Sequence, residues 1–381
     1  MRPALLIALF ALLLLPGTAP AVLPDVPTPS PPSIGAPSYI LIDHDSGTVL
    51  AERDPDTERE PASLVKLMTA YVVFNELREG HLELQEEVTI SETAWRMGGS
   101  RMFVEVGRRV QVEDLLRGMI VQSGNDASVA LAEHIAGNEE TFAQIMNQQA
   151  AELGMDNTTF RNATGWPHAE QRTTARDIAT LAMAMIRDFP EYYAYYSEPE
   201  FTYNGITQRN RNSLLHRDES VDGLKTGHTS GAGYNLVSSA KRDDMRLVSV
   251  VLGTDGPTAR MEQTRSLFNY GFRFFGTLQV YDAGETVTEP KLWRGDRETV
   301  PLGLRAPLHV TIPRRASGDL EATMTLPETI LAPLAEGDEV GTLTIRVGET
   351  EIASAPLVAL EDRDEGGFFG RTLDDLLLRF R

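Results

Sequence analysis

Ser63 and Lys66 have the residue types and the spacing of a nucleophile and its base. Apolar residues recur every three or four positions from Pro61 to Leu77, which predicts a helix that begins at Pro61. Residues three apart share one face of a helix, so the Lys66 amine can reach the Ser63 hydroxyl. A neutral amine could remove the hydroxyl proton, and backbone N–H groups at the helix start could stabilise an oxyanion.

Lys66 can serve as a base only if its pKa is lowered. Burial, a second cation such as Lys225 and the positive end of the helix dipole would all act in that direction. In the alternative interpretation, Ser63 is a helix cap or first-turn residue and Lys66 is a solvated surface charge.

A second motif, Ser123-Gly124-Asn125, follows a helix predicted from Val112 to Val121. Its glycine-containing turn would present both polar side chains to a cleft. Ser123 could pass a proton to a leaving amine, and the side-chain NH₂ of Asn125 could hold a substrate carbonyl. The alternative is a capping loop for the next helix, with Ser123 or Asp126 as the cap.

The third motif, Lys225-Thr226-Gly227, precedes a strand predicted from Gly233 to Ala240. Lys225 and Thr226 offer a cation and a hydroxyl suited to a free carboxylate. Gly227 would let an extended substrate backbone approach a strand edge, although a plain hairpin turn would also explain it. Each motif alone arises by chance, whereas the ordered set of three indicates a serine acyl-enzyme.

The composition excludes several other kinds of chemistry. The chain carries 35 Lys and Arg against 55 Asp and Glu, and its net charge of −20 would repel nucleic acid. It has no cysteine, which removes thiol catalysis, thiolate metal sites and disulfides. G-x-S-x-G and H-E-x-x-H motifs are missing and the histidines lack ligand spacing, so we expect no metal and no other cofactor.

The elements that would position these motifs indicate an α+β domain over residues 38–276, built around a central sheet. A hairpin is predicted from Ser38 to Asp43 and from Thr48 to Arg53, and a further strand from Arg246 to Gly253. The remaining helices are predicted at Ala127 to Ala136, Glu140 to Leu153, Thr174 to Asp188 and Gln263 to Phe274.

Residues 277–362 change to short alternating runs, which predict a small all-β sandwich domain. The runs are Leu278 to Asp282, Thr299 to Leu302, Leu308 to Ile312, Glu321 to Leu326, Val340 to Val347 and Ile352 to Leu360. Residues 366–381 predict an amphipathic helix behind a glycine pair. Its apolar face comprises Phe369, Leu373, Leu376, Leu377 and Phe380. Membrane-surface binding is favoured for that face, and docking onto the β domain is the alternative.

The N-terminal segment has the pattern of a secretory signal peptide over residues 1–21. Arg2 precedes an apolar run, which ends before a small-x-small cleavage site at Ala19-Pro20-Ala21. The run is too short to span a membrane. Residues 22–37 are rich in Pro and Ser and predict an extended tether without a core. The pattern therefore predicts export.

The sequence resembles the low-molecular-mass penicillin-binding proteins, specifically the D-alanyl-D-alanine carboxypeptidases of the S11 peptidase family. The resemblance covers nearly the whole mature chain and implies a β-lactamase/transpeptidase-like catalytic domain, a β-rich second domain and a terminal helix on the outer face of the cytoplasmic membrane. It is carried by ASLVKLMTA around Ser63, QSGNDASVALAEHIAG after Gln122, VDGLKTGHTSGAGYNL around Lys225 and GFRFFGT at 271–277.

By position, the resemblance implies that Ser63 is acylated, that Lys66 is the base, and that Ser123 and Asn125 line the cleft. It implies removal of the terminal D-alanine from peptidoglycan pentapeptide stems by a periplasmic protein attached peripherally to the membrane. β-Lactams should enter the same path and stall as acyl-enzymes, because their leaving amine stays tethered.

The resemblance also assigns the substrate side of the cleft. Lys225-Thr226-Gly227 would form the substrate-side strand, and the backbone N–H of His228 would join that of Ser63 in the oxyanion hole. Arg260 matches an arginine that helps hold the terminal carboxylate. Arg211 matches a motif arginine that serves either loop structure or substrate positioning.

Three other functions remain open at this point. A class A β-lactamase would share the motifs, but the only fragment resembling its deacylating glutamate, Glu198-Pro199-Glu200-Phe201, lies shortly before Lys225 and lacks the Leu-Asn pair. A D,D-endopeptidase would cut cross-links between stems. A non-catalytic, membrane-tethered peptidoglycan-binding scaffold would keep the fold without turnover.

Overall fold

The computed structural model describes residues 26–379, which divide into two compact units. The larger unit comprises residues 26–279 and 309–318, and the smaller comprises residues 280–308 and 319–379. The predicted signal peptide lies outside the described residues.

The larger unit mixes strands and helices, as the sequence predicts. Its strands are β1 (Ser38–Asp43), β2 (Val49–Arg53), β3 (Glu87–Thr89), β4 (Arg109–Gln111), β5 (Glu200–Tyr203), β6 (Ile206–Arg209), β7 (Val221–Thr229), β8 (Gly233–Arg242), β9 (Met245–Thr254) and β10 (Phe275–Tyr281), which continues past the division. Its helices are α1 (Val65–Arg78), α2 (Glu92–Arg96), α3 (Val112–Val121), α4 (Asn125–Ala136), α5 (Glu139–Glu152), α6 (Ala175–Asp188), α7 (Pro190–Tyr193) and α8 (Pro257–Phe274).

A five-stranded sheet in the order β2-β1-β9-β8-β7 forms the centre of this unit. Alternate side chains of β1 enter different cores, as the two-residue period of a strand requires. Ile40 and Ile42 pack with α1, α3, α4 and α6, whereas Tyr39 and Leu41 pack with α8. The sheet is therefore covered by helices on both faces, and β7 forms one edge.

The N-terminal prediction needs a correction. Residues 26–37 run without helix or strand, as an extended tether would, but part of the segment packs into the core. Ile34 and Ala36 are buried in the cluster around α8. The Ala36 N–H donates to Gln263, and Arg53 donates to the carbonyl oxygens of Ile34 and Ala36. Two buried apolar residues and three hydrogen bonds thus fix this segment to the unit.

The smaller unit is all-β apart from its terminal helix. Its strands are β11 (Thr286–Thr288), β12 (Leu292–Trp293), β13 (Leu302–Gly303), β15 (Leu320–Thr325), β16 (Ile330–Leu331), β17 (Glu339–Val347) and β18 (Thr350–Ala359), and its helix is α9 (Phe368–Leu378). Five strands form a sheet in the order β11-β13-β18-β17-β15, and β12 pairs with β16.

The division differs from the predicted domain limits at two segments. The sequence analysis placed residues 277–279 and 309–318 in the β domain, but they belong to the larger unit. Strand β14 (Leu308–Pro313) pairs with β10 rather than with the five-stranded sheet. Within residues 26–379, no helix is both long enough and apolar enough to cross a bilayer.

Candidate active site

The Ser63 hydroxyl lies one turn from the Lys66 amine at the start of α1. Residues Ala62–Leu64 form a 3₁₀ turn that leads directly into the helix. Ala62 adopts a left-handed φ of +49°, which bends the chain just before the serine. The Lys66 Nζ lies 3.3 Å from the Ser63 Oγ. The structure therefore brings these two residues together within hydrogen-bonding reach.

Lys66 is buried, with only 1% of its surface exposed. Its Nζ donates to Asn125 Oδ1 at 2.7 Å and to the backbone carbonyl of Thr164. Burial lowers the pKa of Lys66 to about 7, against the opposing effect of the Glu139 and Asp126 carboxylates. An amine with this pKa is substantially neutral near pH 7 and can accept the serine proton.

Asn125, the first residue of α4, contacts Lys66, and Ser123 lies in the short loop just before it. Ser123 has a left-handed φ of +66°, and its buried hydroxyl has no hydrogen-bond partner among the described residues. Asn125 accepts from Lys66 through Oδ1, and its NH₂ donates to the Gly98 carbonyl at 2.8 Å. One N–H of Asn125 is thus already engaged, and only the second remains for a substrate carbonyl.

The N-cap of α4 is Gly124 and not Asp126, although Asp126 accepts from the Ala127 N–H in the first turn. Its buried carboxylate accepts from the backbone N–H groups of Met102, Phe103 and Val104. These bonds hold the segment 98–104 against the start of α4, and that segment supplies the Gly98 carbonyl to Asn125. Asp126 therefore supports the position of Asn125, a function that the sequence analysis missed.

The Lys225-Thr226-Gly227 motif lies within strand β7, not before a strand as its pattern predicts. Contacts within the protein require a glycine at position 227. A Cβ at Gly227 would lie 3.0 Å from the Pro61 carbonyl oxygen and 3.3 Å from the Ser63 nitrogen. This glycine therefore lets β7 lie against the turn that carries Ser63, a role that the sequence analysis did not predict.

Four basic side chains lie close enough to interact electrostatically: Lys66, Lys225, Arg211 and Arg260. None of them forms a salt bridge with a carboxylate among residues 26–379. Burial and then the charge of Lys66 hold the pKa of the buried Lys225 well below its usual range. The Arg211 side chain has no hydrogen bond to any described residue. Lys225, Arg211 and Arg260, which have no paired carboxylate among the described residues, are suited to bind one from a substrate.

Arg260 forms hydrogen bonds with two neighbouring strands. Its Nη1 donates to the carbonyl oxygens of Gly227 at 3.2 Å and Asn235 at 3.3 Å, and its guanidinium lies 5.6 Å from the centre of the Tyr234 ring. Burial lowers the pKa of Arg260 to about 10. Arg260 thus joins β7 to β8, and its remaining N–H groups contribute to the cationic cluster.

The loop around Thr164 completes the site and was not predicted from the sequence. Asn162 Oδ1 accepts from the N–H groups of Thr164 and Gly165. Gly165 has a φ of +84°, and a Cβ there would overlap the Ala62 carbonyl oxygen. The loop therefore lies against the serine turn and presents the Thr164 carbonyl to Lys66. The one sequence feature that could have indicated this loop is the glycine that directly follows Asn162-Ala163-Thr164.

A cavity of about 400 Å³ opens beside Ser63. The His228 ring lies exposed at its edge, stacked on Tyr234 with 4.0 Å between ring centres. Since β7 is an edge strand, one side of its backbone is free to pair with an extended peptide. The remaining lining residues are Gly99, Ser100, Asn125, Thr164, Gly165, Trp166, Pro167, Thr229 and Ser230.

Two family models match this chain. One is described as D-alanyl-D-alanine carboxypeptidase of peptidase S11 and matches residues 25–256. The other is described as the C-terminal domain of penicillin-binding protein 5 and matches residues 275–365.

Curated relatives cover most of the chain. D-alanyl-D-alanine carboxypeptidase DacC of Escherichia coli is 44% identical over 95% of this chain and 92% of its own. DacA of the same species is 42% identical over 92% of this chain and 89% of its own. A D-alanyl-D-alanine endopeptidase of E. coli is 33% identical over 60% of this chain and 74% of its own.

Solved structures give the same picture. Penicillin-binding protein 5 of Haemophilus influenzae aligns with a TM-score of 0.85 and 42% identity, over 88% of this chain and 99% of that one. Penicillin-binding protein D2 of Listeria monocytogenes, solved in an ampicillin-bound form, aligns with a TM-score of 0.58 and 31% identity, over 63% of this chain and 98% of that one.

Proposed function

Because the chain belongs to the serine D-alanyl-D-alanine carboxypeptidases of peptidase family S11, we propose that Ser63 is the nucleophile with which it removes the terminal D-alanine from peptidoglycan pentapeptide stems. The observation that carries the assignment is the contact between the Ser63 hydroxyl and a buried Lys66 amine whose pKa lies at about 7. The edge strand β7 supplies the adjacent wall of the cleft.

In the acylation step, Lys66 takes the proton of Ser63 as its oxygen attacks the carbonyl of the penultimate D-alanine. The developing oxyanion is stabilised by the backbone N–H groups of Ser63 and His228. The C–N bond then breaks, and the leaving amine of D-alanine takes a proton that the Ser123 hydroxyl relays from Lys66. Water hydrolyses the resulting ester and restores Ser63.

The free carboxylate of the substrate binds on the cationic side of the cleft. The Thr226 hydroxyl donates to it, while Lys225, Arg260 and Arg211 supply positive charge. This recognition favours a peptide with a free C-terminus, which is the carboxypeptidase substrate. The endopeptidase relative matches a smaller share of the chain, whereas the carboxypeptidase relatives extend through the second unit.

β-Lactams acylate the same serine, and we expect slow release. The cavity lining contains no carboxylate among the described residues that could activate a deacylating water. Glu198, in the fragment that resembles a β-lactamase signature, forms an ion pair with Arg117 away from the cavity. A class A β-lactamase is therefore disfavoured.

The test combines mass spectrometry with a turnover assay. We expect penicillin to add one acyl group to the wild-type protein, and the protein to release D-alanine from a pentapeptide. Ser63→Ala should lose the adduct and reduce turnover by at least about 10⁴-fold. Ser266→Ala, which changes an exposed serine on α8, is the matched control and should retain both activities. A penicillin adduct on Ser63→Ala would contradict the assignment.

We further propose export to the periplasm and attachment to the membrane surface. Export is supported by the signal pattern over residues 1–21. Attachment is supported by α9, whose residues Phe368, Phe369, Leu373, Leu376 and Leu377 are all exposed. The acidic residues of the helix are engaged instead: Asp374 accepts from the Arg294 N–H, and Asp375 pairs with the Arg294 guanidinium. The apolar face thus remains available to lipid.

A further inference from the structure

Trp166 exposes its indole ring within the cleft beside Ser63. The side chain is 51% exposed and lines the same cavity as the serine. It lies over two glycines, since a Cβ at either Gly98 or Gly99 would sit 3.4 Å from the ring. A large apolar ring left open to water in an active-site cleft is a candidate for contact with the substrate.

The backbone of Trp166 is held rigidly. Its N–H donates to the Thr164 hydroxyl at 3.1 Å. Its carbonyl accepts from Asn162 at 2.9 Å and from Gln171 at 3.1 Å. Three hydrogen bonds therefore fix the backbone that carries the ring before any ligand arrives, so little backbone entropy is lost when a ligand binds against the ring.

The position of Trp166 identifies which part of the substrate it meets. The cations that would receive the terminal carboxylate include Lys225, which does not line the cavity. The cavity extends instead past Ser63 to His228 and the two residues that follow it on the chain. In a peptide paired with β7, the residues before the scissile bond would therefore extend from Ser63 toward the side of the cleft where Trp166 lies.

The chemistry of the cavity favours an apolar contact. None of its lining residues is Asp, Glu, Lys or Arg. The indole face therefore offers dispersion and hydrophobic contact to methylene groups and no ion pair.

We infer that Trp166 binds the aliphatic side chain of the stem residue that precedes D-Ala-D-Ala, and so sets a preference for long, straight side chains at that position. The inference rests on the proposed function and deepens it. It concerns the acyl side of the substrate, whereas the cationic cluster recognises the leaving D-alanine.

Two peptides that differ in one side chain test this. Both are acetylated and end in D-Ala-D-Ala, and the preceding residue is either Nε-acetyl-lysine or glycine. Trp166→Ala should lower kcat/KM for the lysyl peptide about tenfold and leave the glycyl peptide nearly unchanged. Trp166→Phe should retain most of the preference. Trp95→Ala removes another exposed tryptophan, 42% exposed and outside the cavity, and should have no effect.

Equal losses for both peptides in Trp166→Ala would overturn the inference, because they would mean that the residue only positions its loop. Unchanged kinetics for both would overturn it as well. Failure of the proposed function is a separate result, in which the wild-type protein releases D-alanine from neither peptide.

Binding gives a readout without turnover. Adding the lysyl peptide to Ser63→Ala should shift the tryptophan fluorescence, and the glycyl peptide should do so only weakly. The shift should disappear in Ser63→Ala/Trp166→Phe. A shift that persists in the double variant would come from Trp95 or Trp293 and would contradict the inference.

Discussion

Lys66 is subject to two opposing electrostatic effects. Burial favours the neutral amine, while the carboxylates of Glu139 and Asp126 favour the charged form. The charge of Arg211 adds to the effect of burial. Their balance gives a pKa of about 7 in place of 10.5. A lysine in water would be almost entirely protonated at neutral pH and could not serve as the base.

Acylation should therefore depend on pH through Lys66. Protonated Lys66 cannot accept the serine proton, so the second-order rate of acylation by a labelled penicillin should fall about tenfold per unit below pH 7 and reach a plateau above it. Stopped-flow measurement between pH 5 and pH 9 tests this. Lys66→Arg, which stays charged, should be inactive throughout. A rate independent of pH over this range would exclude Lys66 as the base.

The side chains of this site could be predicted from the sequence, but some of their partners could not. Ser63, Lys66, Asn125 and Lys225 belong to recognisable motifs whose order indicates one site. The Thr164 carbonyl that accepts from Lys66 is a backbone group, and any residue type could supply it. The second contact of Asn125, with the Gly98 carbonyl, could not be predicted either, because its acceptor is also a backbone group.

At the scale of elements, three backbone segments meet around the serine. The turn at Ala62–Leu64 lies between β7 and the loop that carries Thr164. Gly227 and Gly165 are the positions at which a side chain would collide with that turn. Close approach of backbone to backbone, rather than side-chain packing, thus sets the geometry of the nucleophile.

Gly165→Ala should damage activity more than stability. Its Cβ would overlap the Ala62 carbonyl and push either the turn or the Thr164 carbonyl away, in addition to the strain of a left-handed φ. We expect a loss of at least about 100-fold in kcat/KM, comparable to misplacing a catalytic group by about 1 Å. Kinetics and the unfolding temperature should be measured together.

Gly154→Ala is the matched control, because Gly154 has a φ of +74° but open space around its Cβ position. It should incur a similar backbone strain, about 1–3 kcal/mol, without the loss of activity. If the two variants lost activity equally, strain or destabilisation alone would account for the effect and the proposed contact would be wrong.

Some helices and strands match their predictions from the sequence better than others do. Helix α3 coincides with its prediction because its apolar spacing is regular and its ends are clear. Strand β7 was predicted only through the family resemblance, since its sequence VDGLKTGHT includes two glycines and an aspartate, which strands disfavour. Helix α8 begins at Pro257 rather than at the predicted Gln263. A proline in the first turn is typical of a helix start and marks this one.

At the scale of the whole molecule, a buried amine of lowered pKa reduces stability. The pKa of Lys66 is 10.5 for the free group and about 7 in the folded protein. Between these values the unfolded chain binds a proton that the folded chain does not. The free energy of unfolding therefore rises with pH by about 1.4 kcal/mol per unit in this window, and the destabilisation is fully present below pH 7.

Lys66→Met removes this contribution and provides the test. The stability of the wild-type protein relative to Lys66→Met should increase by about 3 kcal/mol from pH 7 to pH 9.5, since titrating groups that do not interact with Lys66 cancel in the difference. Calorimetry of the larger unit at several pH values measures it. A difference that stays constant with pH would show that Lys66 keeps an ordinary pKa in the folded protein.

The exposed face of α9 gives the last prediction, which concerns where the molecule resides. Phe369 is 89% exposed and Leu373 is 57% exposed, so Phe369→Ser/Leu373→Ser should leave the fold intact. Burial of each of these two side chains in lipid contributes about 2 kcal/mol to the free energy of membrane binding. Their removal should therefore weaken binding to vesicles of phosphatidylethanolamine and phosphatidylglycerol at least about 100-fold. Gly370→Ala adds a methyl group to open space on the same helix and should bind as the wild type does. Hydrolysis of a soluble pentapeptide should be unchanged in both variants, because neither alters the larger unit. If the double variant still sedimented with the vesicles, the apolar face would not be the anchor, and membrane attachment would have to be sought in another part of the chain.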